Sequence, residues 1–139
     1  MSYKHKMTAE QHIDTLVTSF YNAFDNRNGL KVNFETFALF FVNDARISKK
    51  TNAGIETWSI QEFWQPRFEL LSNGQLTGFY EWETQSRTSI FNDIAARESR
   101  YEKKGLLNGD DYQGDGHKLF QFVLTKQGWK IASILWQDL

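Results

Sequence analysis

The 139-residue chain has no cysteine, one proline and no surplus of charge of either sign. Without cysteine there is no disulfide, no thiol nucleophile and no thiolate metal site, and the redox compartment stays open. Sixteen Lys and Arg against seventeen Asp and Glu leave a formal net charge of −1, so the basic excess that answers phosphate is missing and no nucleic-acid partner is expected. No apolar run approaches the roughly 20 residues of a membrane span, and Met1-Ser2-Tyr3-Lys4-His5-Lys6 leads into a polar helix and not a signal-peptide core. A soluble cytoplasmic protein with no membrane partner is the expectation. A Gly-rich phosphate loop, a nucleophile elbow and a Ser/His/Asp ordering are absent as well. His5, His12 and His117 are scattered, with no His-x-x-x-His pair, so neither a metal nor any other cofactor is expected. His117 beside Asp115 becomes a general base only if its loop folds over a pocket.

Aromatic residues, by contrast, are abundant: five Trp, five Tyr and twelve Phe. Such a surplus serves a core, an interface or a ligand cavity. The length fits one domain, residues 1–139, with a core large enough to need no staples.

Thr8-Ala9-Glu10-Gln11 is a capping box that opens a helix with the stripe Ile13, Leu16, Val17, Phe20 and Phe24, ending near Asn26 to Gly29. A shorter helix from Asn33 buries Phe34, Phe37, Ala38 and Phe41 and stops at Asn43-Asp44; Arg46-Ile47-Ser48 reads as a short strand. Ser59-Ile60-Gln61-Glu62 is a second capping box, followed by Phe63, Trp64, Phe68 and Leu71, and Pro66 predicts a kink or two abutting helices. From Phe79 the period changes to that of strands. Phe79 to Phe91 and Ile94 to Gly105 join at Asn92-Asp93, which places Ser89 against Ala96, Arg87 against Glu98, Gln85 against Arg100 and Thr84 against Tyr101. Leu106 to Gly116 reads as a mobile loop. The last two strands, Gly116 to Thr125 and Trp129 to Trp136, fold back at Lys126-Gln127-Gly128. With a Gln127-Gly128 loop, Phe122 opposes Ser133, Phe120 opposes Leu135 and Leu119 opposes Trp136.

Both faces of that last hairpin are apolar, so each needs a cover. The face of Phe120, Phe122, Leu124, Trp129, Ile131 and Leu135 is expected to make a homodimer through the outer side of the sheet. The face of Leu119, Val123, Ala132, Ile134 and Trp136 carries Gln121 alone in its middle, and is expected to line a cavity. The fold class is α+β, with N-terminal helices packed in a strongly curved antiparallel sheet of four strands.

This order of elements, with Phe40-Phe41-Val42-Asn43-Asp44-Ala45-Arg46-Ile47, Ile90-Phe91-Asn92-Asp93-Ile94-Ala95 and the ending Gly128-Trp129-Lys130-Ile131-Ala132-Ser133-Ile134-Leu135-Trp136, resembles the nuclear transport factor 2-like superfamily. Ketosteroid isomerases, scytalone dehydratase and SnoaL-like polyketide cyclases belong to it. The resemblance implies a cone-shaped α+β barrel with a pocket at its open end, and it puts the family's pocket tryptophan at Trp136. It places the isomerase's general-base aspartate near Lys49, its oxyanion tyrosine at Phe20 and its protonated aspartate at Leu119. A Lys, a Phe and a Leu cannot run that reaction.

The pocket residues expected are Gln121 and Trp136 from the last hairpin, Trp64 as one wall, and Arg87 and Arg100 as a clamp set by Glu98. The plain alternative is that Glu83, Gln85, Arg87, Glu98 and Arg100 form a solvated or dimer-facing ladder. The opposite parity would offer Thr84, Ser86, Thr88, Arg97, Ser99 and Tyr101 instead. The function expected is binding of a small apolar or aromatic acid. The alternatives are a cyclase, dehydratase or isomerase of the same fold, or a dimerisation module whose cone is filled by its own rings.

Overall fold

The computed structural model describes residues 6–139, so His5 lies outside the described residues. Helix α1, Ala9–Asn22, begins on the expected capping box: Thr8 Oγ1 accepts the Gln11 N–H at 3.1 Å, and Gln11 Oε1 accepts the Thr8 N–H at 2.8 Å. It buries Ile13, Val17, Phe20 and Tyr21. Helix α2 is short, Phe34–Ala38, capped by Asn33 and centred on buried Phe37. The chain then enters strand β1, Phe41–Thr51, so the helix end expected at Asn43-Asp44 and the short strand at Arg46 to Ser48 are replaced by one long strand. Strand β2, Gly54–Trp58, makes a hairpin with it; Gly54 sits at φ +133°, a conformation that side chains disfavour. Helix α3, Ile60–Ser72, opens on the second capping box and runs unbroken through Pro66, because Phe63, Trp64 and Leu71 anchor it on both sides of the missing N–H.

Strands β3, Leu76–Phe91, and β4, Ile94–Leu107, meet at Asn92-Asp93 as expected, with Asn92 at φ +55°. The loop expected from Leu106 to Gly116 is instead a tight hairpin. Asn108 and Gly109, at φ +52° and +85°, join β4 to strand β5, Asp110–Thr125. Strand β6 is Gly128–Asp138. The sheet has six strands in the order β2-β1-β6-β5-β4-β3, and its β1–β6 pair is parallel while the other pairs are antiparallel. Helix α3 touches both β1 and β3, which have three strands between them, so the sheet must curl around the helices. Among the described residues no helix is long and apolar enough to cross a membrane.

Two bulges decide which residues face inward. Gln85 pairs with Arg100 as expected, but Glu83 pairs with Tyr101, leaving Thr84 extra. Glu83 therefore turns inward, where it receives the guanidinium of buried Arg97 at 2.5 Å and the hydroxyl of Ser99 at 2.5 Å. Arg97 also reaches Asp14 on α1 at 2.6 Å, and the Tyr21 hydroxyl meets Ser99 at 2.7 Å, so this network clamps the first helix to the sheet.

In the last hairpin the two-residue loop is Lys126-Gln127 and not Gln127-Gly128, since Thr125 pairs with Gly128. Phe122 then opposes Ile131. Ala132 is extra, Gln121 opposes Ser133 and Phe120 opposes Ile134. Both the register and the faces expected from sequence are corrected. Phe120, Phe122, Ile131, Ile134 and Trp136 all point into the core, while Leu119, Gln121 and Leu135 point out. The surface assigned to a dimer through Phe120, Phe122 and Ile131 is thus the inner lining of the sheet, unavailable to a partner.

Phe122→Ala should cost about 3–5 kcal/mol in denaturant unfolding, while Gln121→Ala should stay within about 0.5 kcal/mol. The reverse ranking would restore the original faces.

Candidate functional site

The cone is not packed solid. Between α1, α3 and the inner sheet face lies a cavity of about 330 Å³. Its apolar wall comprises Phe20 from α1 and Phe24 just past its end, Phe63, Leu70 and Leu71 from α3, and Leu76, Phe79 and Ile134 from the sheet. Trp136 closes it on β6. Set into this wall are four cations, Lys49, Arg67, Lys103 and Lys118, and two carboxylates, Glu81 and Asp138.

Each carboxylate is committed to lysine. Asp138 lies 3.0 Å from Lys49 and 3.4 Å from Lys103, and also accepts the Tyr101 hydroxyl. Burial alone would raise its pKa, but the Tyr101 bond and the two ammonium groups outweigh burial and hold it at about 2. Glu81 pairs with Lys118 at 3.1 Å, both nearly buried. Burial draws the Lys118 ammonium below the ordinary lysine range against the pull of Glu81, and the ammonium rests 3.4 Å from the Tyr101 ring centroid. Burial, followed by the Asp138 contact, pushes the Tyr101 phenol up, so it stays a donor.

Arg67 is different. Among the described residues no carboxylate lies within 4.0 Å of it. One guanidinium nitrogen donates to the Phe63 carbonyl at 2.8 Å, and the group stacks 3.7 Å from the Phe63 ring centroid and 5.5 Å from that of Trp136. Burial pulls its pKa down to about 10, which still leaves it a cation at neutral pH. Lys49 and Lys118 each lie 5.7 Å from the Trp136 ring centroid, so three cations gather around one indole.

Of the residues expected from sequence, Trp136 lines the cavity. Trp64 is buried behind it, stacked 4.6 Å from Phe37. Gln121 is on the outer face, where its side-chain oxygen accepts the Ser133 hydroxyl at 2.8 Å. Arg87 and Arg100 also face outward, in an open groove with Glu98, His117, Leu119 and Leu135; Arg100 pairs with Asp115 at 3.2 Å. Three of the five, Arg87, Arg100 and Trp136, border that outer groove, while Trp64 and Gln121 do not, so the five share no single site. Lys49 and Phe20, aligned with isomerase residues, do border the cavity; Leu119 does not.

Sequence reasoning missed Arg67, Glu81, Lys103, Lys118 and Asp138. A signal existed for two of them. Arg67 follows Phe63 by four residues and precedes Leu70 and Leu71 by three and four, which places it on the buried stripe of α3. Lys118 shares parity with Phe120 and Phe122, so burying those two buries the lysine.

No family model and no curated protein matches the sequence. Solved structures do. A conserved protein from Planctomyces limnophilus superposes with a TM-score of 0.78 at 15% identity, over 94% of this chain and 95% of that one. A nuclear transport factor 2-like protein from Cytophaga hutchinsonii gives 0.71 at 15% over 96% and 100%. A nuclear transport factor 2-like protein with a cystatin-like fold from Novosphingobium aromaticivorans gives 0.73 at 14% over 94% and 82%. The chain therefore has the nuclear transport factor 2-like cone fold. At such identities the likeness concerns the fold and leaves function to the residues of the cavity.

Because the Asp138 pKa falls from 3.8 to about 2 on folding, the unfolded chain binds more protons across that interval. Its contribution to stability is present above pH 3.8 and lost as pH falls toward 2. Asp138→Asn should lower the melting temperature at pH 7 and flatten its decline between pH 4 and pH 2; an unchanged acid limb would remove Asp138 from the ion cluster.

Proposed function

We propose that the protein is a small-molecule binding protein of SnoaL-like type that takes a largely apolar, one- or two-ring ligand into the inner cavity. The observation that carries this reading is the open 330 Å³ space, at the lower end of the roughly 300–1,000 Å³ range of ligand pockets, walled by aromatic and aliphatic side chains. A scaffold whose cone was filled by its own rings would leave no such space. Proton-transfer catalysis of the isomerase kind is less well supported, because a general base works best with a pKa near the working pH and Asp138 is held at about 2.

Thermal-shift screening with small aromatic compounds tests this. A ligand at a hundred times its dissociation constant stabilises by about 2.7 kcal/mol, a readable shift in melting temperature. Leu70→Trp, which pushes an indole into the cavity, should abolish the shift while circular dichroism stays unchanged. A shift that survives Leu70→Trp would place binding elsewhere.

We also propose that two copies pair through the outer sheet face, now on Ile55, Leu119 and Leu135, which are exposed and border one groove. Leu119→Asp with Leu135→Asp should convert the dimer to monomer in light scattering without loss of fold. A species unaffected by both would place any interface elsewhere.

A further inference from the structure

Charge within the cavity does not balance. Lys49 and Lys103 share Asp138, Lys118 has Glu81, and Arg67 has no anion. An unpaired cation withdrawn from water is costly, and the cost is relieved when a counter-charge arrives with its own hydrogen-bond acceptors. The guanidinium already occupies one donor on Phe63 and is fixed by stacking on that ring, so its fork is oriented before any ligand enters. The surroundings of the guanidinium are aromatic, with the ring centroids of Phe63, Trp58 and Trp136 within 5.7 Å of its carbon, and the same cavity is walled by Phe20, Phe24, Leu71, Leu76 and Phe79 beside the paired ions. That is a cationic seat within a largely apolar cavity.

We propose that the ligand is a monocarboxylic acid with a flat apolar body, its carboxylate held by the Arg67 fork and its body lying against Trp136 and the far apolar wall. This rests on the cavity being the binding site. Among the described residues Arg67 is the cavity cation with no carboxylate within 4.0 Å, so the seat offers a partner to one anionic group, and the planar fork matches the two oxygens of a carboxylate. The anchor is Arg67 on α3 and not the arginine pair of the outer ladder, both of which face away from the cavity.

The probes are benzoate, phenylacetate and 2-naphthoate with their neutral amides, measured by isothermal titration and thermal shift on the intact chain. Wild-type protein should bind at least one acid on the order of tenfold to a hundredfold more tightly than its amide, the range of a charge-assisted contact. Arg67→Met should erase that preference by weakening the acid while leaving the amide, and Arg67→Lys should keep part of it. If Arg67→Met fails to fold, Arg67→Lys and the wild-type acid-to-amide ratio decide. Equal binding of acid and amide by wild type, or a preference that Arg67→Met leaves intact, would overturn the carboxylate seat while the cavity reading survives. Failure of every acid and every amide to bind would remove both.

Discussion

One extra residue on β6 governs what the cone can hold. An unbulged strand with Ile131 inward would continue inward with Ser133, Leu135 and Gln137. The bulge at Ala132 shifts parity, so the inward set becomes Ile134, Trp136 and Asp138. The inward place of Trp136 and Asp138 follows from that shift. Asp138 can gather Lys49, Lys103 and Tyr101 only because it points in, and Trp136 can stand beside Lys49, Lys118 and Arg67 for the same reason. Parallel pairing with β1 then sets Lys49 next to Trp136 in register.

The bulge at Thr84 plays the complementary part on the other side of the sheet. It brings Glu83 inward to close the Arg97, Ser99 and Tyr21 network on α1, and it leaves Gln85 and Arg87 outside, on the face that Glu98 and Arg100 share on β4. The protein therefore keeps two polar systems with different duties. In the first, the guanidinium of Arg97 is saturated by Asp14, Glu83 and Thr88, and serves to dock a helix. In the second, two carboxylates serve four cations, and among the described residues Arg67 alone of the four has no carboxylate within 4.0 Å. A saturated network is structural in character, whereas a residual charge facing an open space has a chemical use for a ligand.

Much of the fold was legible because local signals agreed with tertiary packing. Both capping boxes, the stripe of α1 and the Asn92-Asp93 hairpin stand where the residues indicated, and Trp136 borders the cavity. The Asn108-Gly109 turn was also readable, since Asn-Gly is a strong hairpin signal, but the surrounding aspartates and glycines masked it. The bulges were not readable. Neither Thr84 nor Ala132 is a glycine or proline, each inserts one residue into an otherwise regular alternation, and a one-residue slip sends every later side chain to the other face. That is why Gln121 was assigned inward and lies outward, while Lys118 and Asp138 escaped notice; Arg87 and Arg100 keep the strand pairing expected of them and lie outward, as the plain ladder has them.

The same slip bears on one position of the resemblance. Counting back from Trp136 without a bulge lands on Leu119, which faces outward; its neighbours on the inner face of β5 are Lys118 and Phe120. Where the isomerase chemistry calls for a base and two acidic donors, the inward groups of this cone are therefore Lys49, Phe20 and, nearest the third place, Lys118. Two of the three are cations, and the carboxylates nearby serve to neutralise them. A site built to stabilise an enolate needs acidic hydrogen-bond donors beside a free base, and here lysines have taken up the available carboxylates as counter-ions. The inward charges of this cone are thus lysines answered by carboxylates, with the Arg67 guanidinium stacked on Phe63 and answered by none within 4.0 Å among the described residues.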